Sequence, residues 1–279
     1  MIISIASGKG GTGKTTIAVN LALSLKKNVQ YLDCDVEEPN GHIFIKPQVQ
    51  QTNTFGTPIP VVDFSKCDYC GKCSEICEFN AIVVLKNNVL LFPELCHSCA
   101  GCWLVCPNGA ISTKDREIGV LETGYTNGVH FIHGRLRIGE AMSPPLIKEV
   151  KRNIDSAKIV IIDAPPGTSC PVIEAVKGSD FVILVTEPTP FGFNDLKLAV
   201  EMIRAIKMEF GVVINRSDIG HREVHQYCNR ENIPILLEIK NDRKIAEAYS
   251  KGISIVEIYP EYKEKFLGLY HEIERRARK

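Results

Sequence analysis

The sequence predicts an α/β protein, a mostly parallel, doubly wound sheet into which a small cysteine-rich unit is inserted. Three observations carry this expectation. At the N-terminus a short apolar run leads through a glycine-rich loop into a segment with helical periodicity. In the second half, continuous apolar runs rich in β-branched residues end in Asp or Asn and alternate with helical segments, the pattern of parallel strands covered on both faces. Between these regions, eight of the eleven cysteines of the 279-residue chain fall into two similar runs. That length predicts about two domains.

Apolar residues make up 44% of the chain and charged residues 24%, and the formal net charge is zero. No global field therefore favours nucleic acid or an anionic membrane surface, and neither is an expected partner. No apolar run approaches the roughly 20 residues of a spanning helix. The first strand begins at Met1, which leaves no room for a signal peptide. A cytoplasmic protein is expected, and its cysteines then require a use other than disulfides.

Met1-Ile2-Ile3-Ser4-Ile5-Ala6 reads as a buried strand, and the residues from Ile17 to Leu25 read as a helix. Between them, Gly8-Lys9-Gly10-Gly11-Thr12-Gly13-Lys14-Thr15-Thr16 satisfies G-x-x-x-x-G-K-[ST] in the strand–loop–helix context that gives the motif its meaning. Glycines let successive N–H groups converge on a phosphate, and the helix N-terminus adds favourable partial charge. Gly8, Gly10, Gly11, Thr12, Gly13, Lys14, Thr15 and Thr16 are the candidate phosphate-binding residues. Lys14 is placed to neutralise β- and γ-phosphates, and the Thr15 hydroxyl to hold Mg²⁺.

A second strand, from Asn28 to Asp35, ends in two carboxylates, Asp33 and Asp35. Residues 37–60, with Pro39, Pro47, Pro58 and Pro60, read as a loop leading to an insertion.

Lys9 is a second lysine inside the phosphate loop. With it, Lys9-Gly10-Gly11-Thr12-Gly13-Lys14-Thr15 resembles the deviant Walker A loop of the MinD/ParA/Mrp ATPases and of the nitrogenase iron protein. The resemblance implies a P-loop ATPase that forms a nucleotide-dependent homodimer, with Lys9 reaching the partner's phosphates. It also implies that Asp35 organises the attacking water, with Asp33 in support. A solvated loop lysine is the simpler alternative for Lys9, and a turn-capping carboxylate for Asp35.

The cysteine runs are Cys67-x₂-Cys70-x₂-Cys73-x₃-Cys77 and Cys96-x₂-Cys99-x₂-Cys102-x₃-Cys106-Pro107, each followed by Ala-Ile at the same offset. This internal repeat resembles bacterial two-cluster ferredoxins, in which three cysteines of one run and the fourth of the other hold each [4Fe–4S] cluster. The resemblance implies one cluster on Cys67, Cys70, Cys73 and Cys106, and another on Cys77, Cys96, Cys99 and Cys102. Structural zinc, which takes isolated four-ligand sets in paired Cys-x₂-Cys units, suits the spacing poorly. Glu78 stands where those ferredoxins have Pro, which leaves the shielding of that end in question. The expected domains are residues 1–59 with 112–279 for the ATPase and 60–111 for the ferredoxin-like insert.

Residues 114–140 carry Gly119, Gly124, Gly128, Gly134 and Gly139 and read as short strands returning from the insert. Ser143-Pro144-Pro145 opens a helix to about Ser156. The run from Lys158 to Asp163 reads as a central strand. Asp163-Ala164-Pro165-Pro166-Gly167 resembles the family's Walker B and switch II segment, which implies that Asp163 joins Thr15 at Mg²⁺. A strand at 180–186, a helix at about 194–207 and a strand at 210–215 follow. The last delivers Asn215 and Arg216 to the same sheet edge. In the family an Asn here contacts adenine; Asn215-Arg216-Ser217-Asp218 also fits the guanine-reading N-K-x-D element with Arg for Lys. The resemblance favours ATP or ADP over guanine nucleotides.

A further strand at 234–238, a helix at 242–249 and a terminal helix at about 261–275 complete the chain. The terminal helix has Phe266, Leu269, Tyr270 and Ile273 on one face and Arg275, Arg276, Arg278 and Lys279 at its tip. Packing against the sheet explains this stripe; membrane docking is the alternative. Cys34 and Cys228 read as buried small hydrophobes, and Cys170, just past switch II, as either a structural thiol or a redox or interface residue.

Together these features predict an ATP-hydrolysing iron–sulfur protein that gates electron transfer to a redox partner through two [4Fe–4S] clusters. An Mrp-like iron–sulfur cluster carrier is the alternative, followed by a partitioning-type ATPase with structural or sensing clusters.

Overall fold

Every buried apolar strand of the N- and C-terminal regions joins one nine-stranded sheet, seen here in a computed structural model that describes residues 1–25, 28–126 and 128–277. The chain enters it at Ile2–Ala6 (β1), turns through the glycine loop and forms the helix Lys14–Leu25 (α1). Val29–Asp33 (β2) is buried along its whole length and stops before Asp35, which therefore sits in the following loop.

Residues 37–60 depart from the expected loop. A short helix, Gly41–Ile45 (α2), is followed by the long strand Gln48–Val62 (β3). β3 lies at the sheet's edge. An edge strand needs few apolar residues and tolerates Pro58 and Pro60, because one side of its backbone has no ladder to complete.

The cysteine segment contains the helices Lys72–Glu75 (α3) and Gly101–Leu104 (α4), separated by a hairpin of Ile82–Leu85 (β4) and Asn88–Leu91 (β5). The chain returns along Ile111–Thr126 (β6) and pairs antiparallel with Val129–Leu136 (β7). These are two long strands rather than the expected short ones. Their glycines mark close approach more than turns. A Cβ on Gly119 would meet the Arg135 carbonyl at 2.6 Å, and one on Gly124 the Gln48 carbonyl at 2.5 Å.

From there α/β alternation runs to the C-terminus: Pro144–Arg152 (α5), Ile159–Asp163 (β8), Cys170–Val176 (α6), Phe181–Thr186 (β9), Pro190–Ala205 (α7), Phe210–Asn215 (β10), Glu223–Arg230 (α8), Ile235–Ile239 (β11), Arg243–Tyr249 (α9), Ile255–Ile258 (α10) and Tyr262–Ala277 (α11). α7 starts earlier than its sequence suggests, because Thr189 accepts the Gly192 N–H and Pro190 occupies the first turn. The unexpected α10 is built on a Ser254–Glu257 capping box.

The strand order is β11-β10-β9-β1-β8-β2-β7-β6-β3, parallel from β11 through β7 and antiparallel over the last two pairings. Helices cover both faces. One core layer joins Leu32, Ile132 and Ile162 to Leu146 of α5 and Val200 of α7; the other joins Ile3, Tyr31 and Phe131 to Ile17 of α1 and Phe266 of α11. The apolar stripe of α11 is thus spent inside the fold, with Phe266, Leu269 and Ile273 buried. Arg278 and Lys279 of its basic tip lie outside the described residues. No helix among the described residues is long and apolar enough to cross a membrane.

Candidate functional site

The carboxyl ends of β1, β2, β8 and β10 converge on one cavity of about 340 Å³. Gly10, Gly11, Gly13, Lys14, Thr15 and Thr16 form its floor, Asp35 and Pro166 one wall, and Asn215, Arg216 and Tyr249 the other end. The loop holds its shape through glycine geometry. Gly11 and Gly13 have φ of +79° and +97°, and a Cβ on Gly13 would press on the Asn215 amide. At Gly8 a Cβ would collide with the Asp195 carbonyl, so the loop packs directly on α7.

Lys14 is buried, and desolvation holds its pKa below the ordinary lysine value while Asp163, Asp35 and Asp33 pull it back up. Asp163 is also buried. Tyr31 donates its hydroxyl to Asp163 Oδ2 at 3.0 Å, and the Thr15 hydroxyl lies against the same carboxylate. The other oxygen, Oδ1, is buried with no hydrogen-bond partner among the described residues. A buried carboxylate oxygen left open beside a threonine hydroxyl and a phosphate loop fits an Mg²⁺ site on hard oxygen ligands. Burial and the neighbouring Asp163 push Asp35 up to about 7. Asp33 is fully buried and positions its surroundings, accepting the N–H groups of Gly41 (2.8 Å) and Asp35 (3.2 Å).

The sheet register extends this charge sideways. Asp163 pairs with Asp33, Asp33 with His133, His133 with Glu122, and Glu122 with Thr52, one polar row across five strands. Residues directly opposite in a ladder share a face. His133 Nε2 meets Glu122 Oε2 at 2.7 Å, and Thr52 donates to Glu122 Oε1 at 3.3 Å. Burial keeps the His133 imidazole below its usual pKa.

At the far end of the β3–β6 ribbon the eight cysteines line two small cavities. Cys67, Cys70, Cys73 and Cys106 surround one, together with Val62, Val84 and Ile111. Cys77, Cys96, Cys99 and Cys102 surround the other, together with Pro60, Ile82 and Trp103. Each set takes three cysteines from one run and one from the other. The repeat is also written in the backbone: Tyr69 matches Ser98, Gly71 matches Ala100 and Asn80 matches Gly109, all with positive φ. Backbone N–H groups of Ala81, Ser98 and Ala110 donate to the sulfurs of Cys77, Cys96 and Cys106 at 3.3, 3.5 and 3.2 Å. Donors aimed at sulfur suit thiolate ligands, and crossed four-sulfur cavities walled by apolar side chains fit two clusters. Among the described residues, no three His, Cys, Asp or Glu side chains converge at the spacing that a single metal ion requires.

Residues 3–255 match the family model described as the CobQ/CobB/MinD/ParA nucleotide binding domain. The chain belongs to this family. An uncharacterised protein of Methanocaldococcus jannaschii is 33% identical over 276 residues, covering 95% of this chain and 97% of the relative. An iron–sulfur cluster carrier protein of Pyrococcus furiosus is 25% identical over 279 residues, covering 91% of this chain and 78% of the relative. Among solved structures, the septum site-determining protein MinD of Pyrococcus horikoshii in complex with Mg-ADP superposes with a TM-score of 0.61 at 20% identity, covering 99% of this chain and 96% of that one.

Within this CobQ/CobB/MinD/ParA chain the two loop lysines go separate ways. Lys14 faces the cavity, whereas Lys9 points outward, its Nζ 4.0 Å from the Asp195 carboxylate and 5.8 Å from the Phe191 ring. Asn215 lines the cavity but its amide also donates to the Thr12 carbonyl at 3.0 Å, which ties β10 to the phosphate loop. Arg216 lines the same end and faces Glu187 at 3.3 Å. Lys240 lies in the cavity wall beside Asn241 and Asp242. Cys34 and Cys228 are buried, and Cys170 is exposed at the start of α6. Tyr31 escaped the sequence reading. Its signal was there, since it precedes Asp33 by two residues on a strand and so shares its face.

Proposed function

We propose that this chain is an ATP-hydrolysing iron–sulfur protein in which nucleotide state controls electron transfer to a redox partner through two resident [4Fe–4S] clusters. The observation that carries the reading is the pair of crossed four-cysteine cavities on a ribbon that leaves the sheet between the Asp35 and Asp163 segments. Residues 60–111 act as a ferredoxin-like unit, and residues 1–59 with 112–279 as the ATPase unit. Bound clusters supply one-electron chemistry; the chain contributes thiolates, N–H donors to sulfur and an apolar wall.

At the nucleotide, residues 8–16 cradle the phosphates with backbone N–H groups, and Lys14 neutralises charge that develops on the γ-phosphoryl group. Thr15 and Asp163 would hold Mg²⁺, which would supply positive charge beside the phosphates. Asp35, in the wall of the same cavity, orients the attacking water. Asn215 and Arg216 bound the base end, where adenine is the proposed occupant. Lys9, outward-facing in a single chain, completes the site of a second copy in a nucleotide-dependent homodimer.

A second reading, an iron–sulfur cluster carrier, is supported by relatives that bear that name, the Pyrococcus furiosus protein among them. Retention separates the two. Four cysteines per cavity favour clusters that stay. Anaerobically purified protein is expected to contain about eight irons per chain, and Cys99→Ser to lose about half. Incubation with an apo-acceptor should leave the wild-type count unchanged. Rapid, ATP-dependent passage of iron and sulfide to the acceptor would select the carrier reading.

A further inference from the structure

The ribbon that carries the cysteines leaves the sheet at a definable joint. β6 pairs with β7 only from Gly119 onward; residues 111–117 pair with β3 alone. The register between β3 and β6 shifts at Phe55/Gly56, so Ile118 has no partner on β3 at the point of departure. A bulge at the edge of a sheet bends the strand and weakens its pairing locally. One residue pair spans this joint. Arg116, opposite Thr57 on the ribbon, meets Glu140 at 2.6 Å, with side chains only 11% and 2% exposed. The surface pair Arg230–Glu231 is 69% and 30% exposed.

Both ends of the pair lead somewhere. Glu140 belongs to the loop between β7 and α5, which shares a cavity of about 540 Å³ with Asp35, Glu38, Pro165 and Pro166, of which Asp35, Glu38 and Pro166 also line the nucleotide cavity. The loop is fixed at its start by the Arg137 N–H to the Ile118 carbonyl at 2.9 Å. On the other side, Glu94 and Cys96 of the cysteine segment act electrostatically on the same guanidinium. A buried ion pair adds little net stability but is costly to leave half-made, so it fixes one geometry where a weaker joint would permit several.

We propose that Arg116 and Glu140 form a strap that sets the angle of the cysteine-bearing ribbon to the nucleotide site and passes nucleotide state across the joint. This rests on the functional reading above and names the positioning residues for it. When nucleotide draws the Asp35 and Pro165–Pro166 segments together, the Glu140 loop moves with the wall of their shared cavity, and Arg116 carries the ribbon along. Neither residue lines the nucleotide cavity or a cysteine cavity.

The test is hydrogen exchange of the full iron-loaded protein, with and without Mg-ATP, reading residues 56–62 and 111–117. Wild-type exchange there should change with nucleotide. In Arg116→Met the ribbon should exchange about tenfold faster or more and respond no further to nucleotide. Arg116→Lys should retain part of the response, and the charge swap Arg116→Glu with Glu140→Arg should restore it beyond either single change. Should Arg116→Met fail to fold, Arg116→Lys and Glu140→Gln give the same readout. Normal iron content and ATP binding with a ribbon indifferent to nucleotide in the wild type would overturn the strap and leave the functional reading standing. So would an R116M ribbon that responds to nucleotide as the wild type does. Absence of iron or ATP binding in the wild type would overturn that reading, and the strap with it.

Discussion

Asp163 has one oxygen held by the Tyr31 hydroxyl and the other buried and open. Tyr31→Phe removes the hydroxyl that donates to Oδ2 without changing packing, leaving a buried carboxylate poorer by a charge-assisted bond. The expected cost is about 1.5–3 kcal/mol in denaturant unfolding, with a higher Mg²⁺ requirement for hydrolysis, because the carboxylate becomes harder to ionise. Unchanged stability and Mg²⁺ dependence would remove Tyr31 from the site. His133 gives a pH signature of its own. Burial holds the folded imidazole below its ordinary pKa, so between that depressed value and about 6.5 the unfolded chain binds more protons than the folded one. Its contribution to stability is complete above about pH 6.5 and is lost as pH falls. Burial raises the partner Glu122, but His133 and Arg135 outweigh it and hold the carboxyl below its usual pKa, which adds loss of the same sign at lower pH. Unfolding midpoints from pH 7.5 to 5 should therefore fall, and fall less steeply in His133→Gln. These roles were hidden in the sequence because a register links them. Asp33, His133 and Glu122 are far apart in the chain and meet only through strand pairing.

At the scale of elements, legibility followed local signals. The phosphate loop was readable because its backbone demands glycine at fixed offsets, and the grouping of the cysteines because their repeat resembles a two-cluster ferredoxin, each crossed set lining one cavity. β3 was not readable. Its first half, residues 48–54, faces solvent, its sequence is polar and proline-bearing, and what makes it a strand is pairing with β6, distant in sequence. The helix α11 shows the reverse case, where periodicity was clear and its use was not. Its stripe packs on α1, so Phe266→Ala should cost about 3–5 kcal/mol of stability, as read by urea unfolding. Vesicle binding should be no different from wild type. A stable variant that loses membrane association would contradict the packing role.

For the whole molecule, the α/β class and the parallel order of the sheet followed from alternating apolar runs and helices. The antiparallel ribbon, the bulge at its base and the Arg116–Glu140 pair did not, since none leaves a local pattern. Connectivity gives the architecture its consequence. The chain leaves the nucleotide cavity at Asp35, runs out along β3, passes both cysteine cavities, returns along β6 and β7, and re-enters the cavity at Pro166, just past Asp163. In the proposed function, closure of the Asp35 and Asp163 segments around a γ-phosphate would act on both ends of the excursion. The most direct measurement is electron paramagnetic resonance of the anaerobic, dithionite-reduced protein with and without Mg-ATP, with potentials read by titration. The account predicts signals from two [4Fe–4S] clusters, with at least one shifting in line shape or potential when Mg-ATP binds and failing to shift in Lys14→Ala. Two clusters whose spectra and potentials are indifferent to nucleotide, in protein shown to bind ATP, would contradict it.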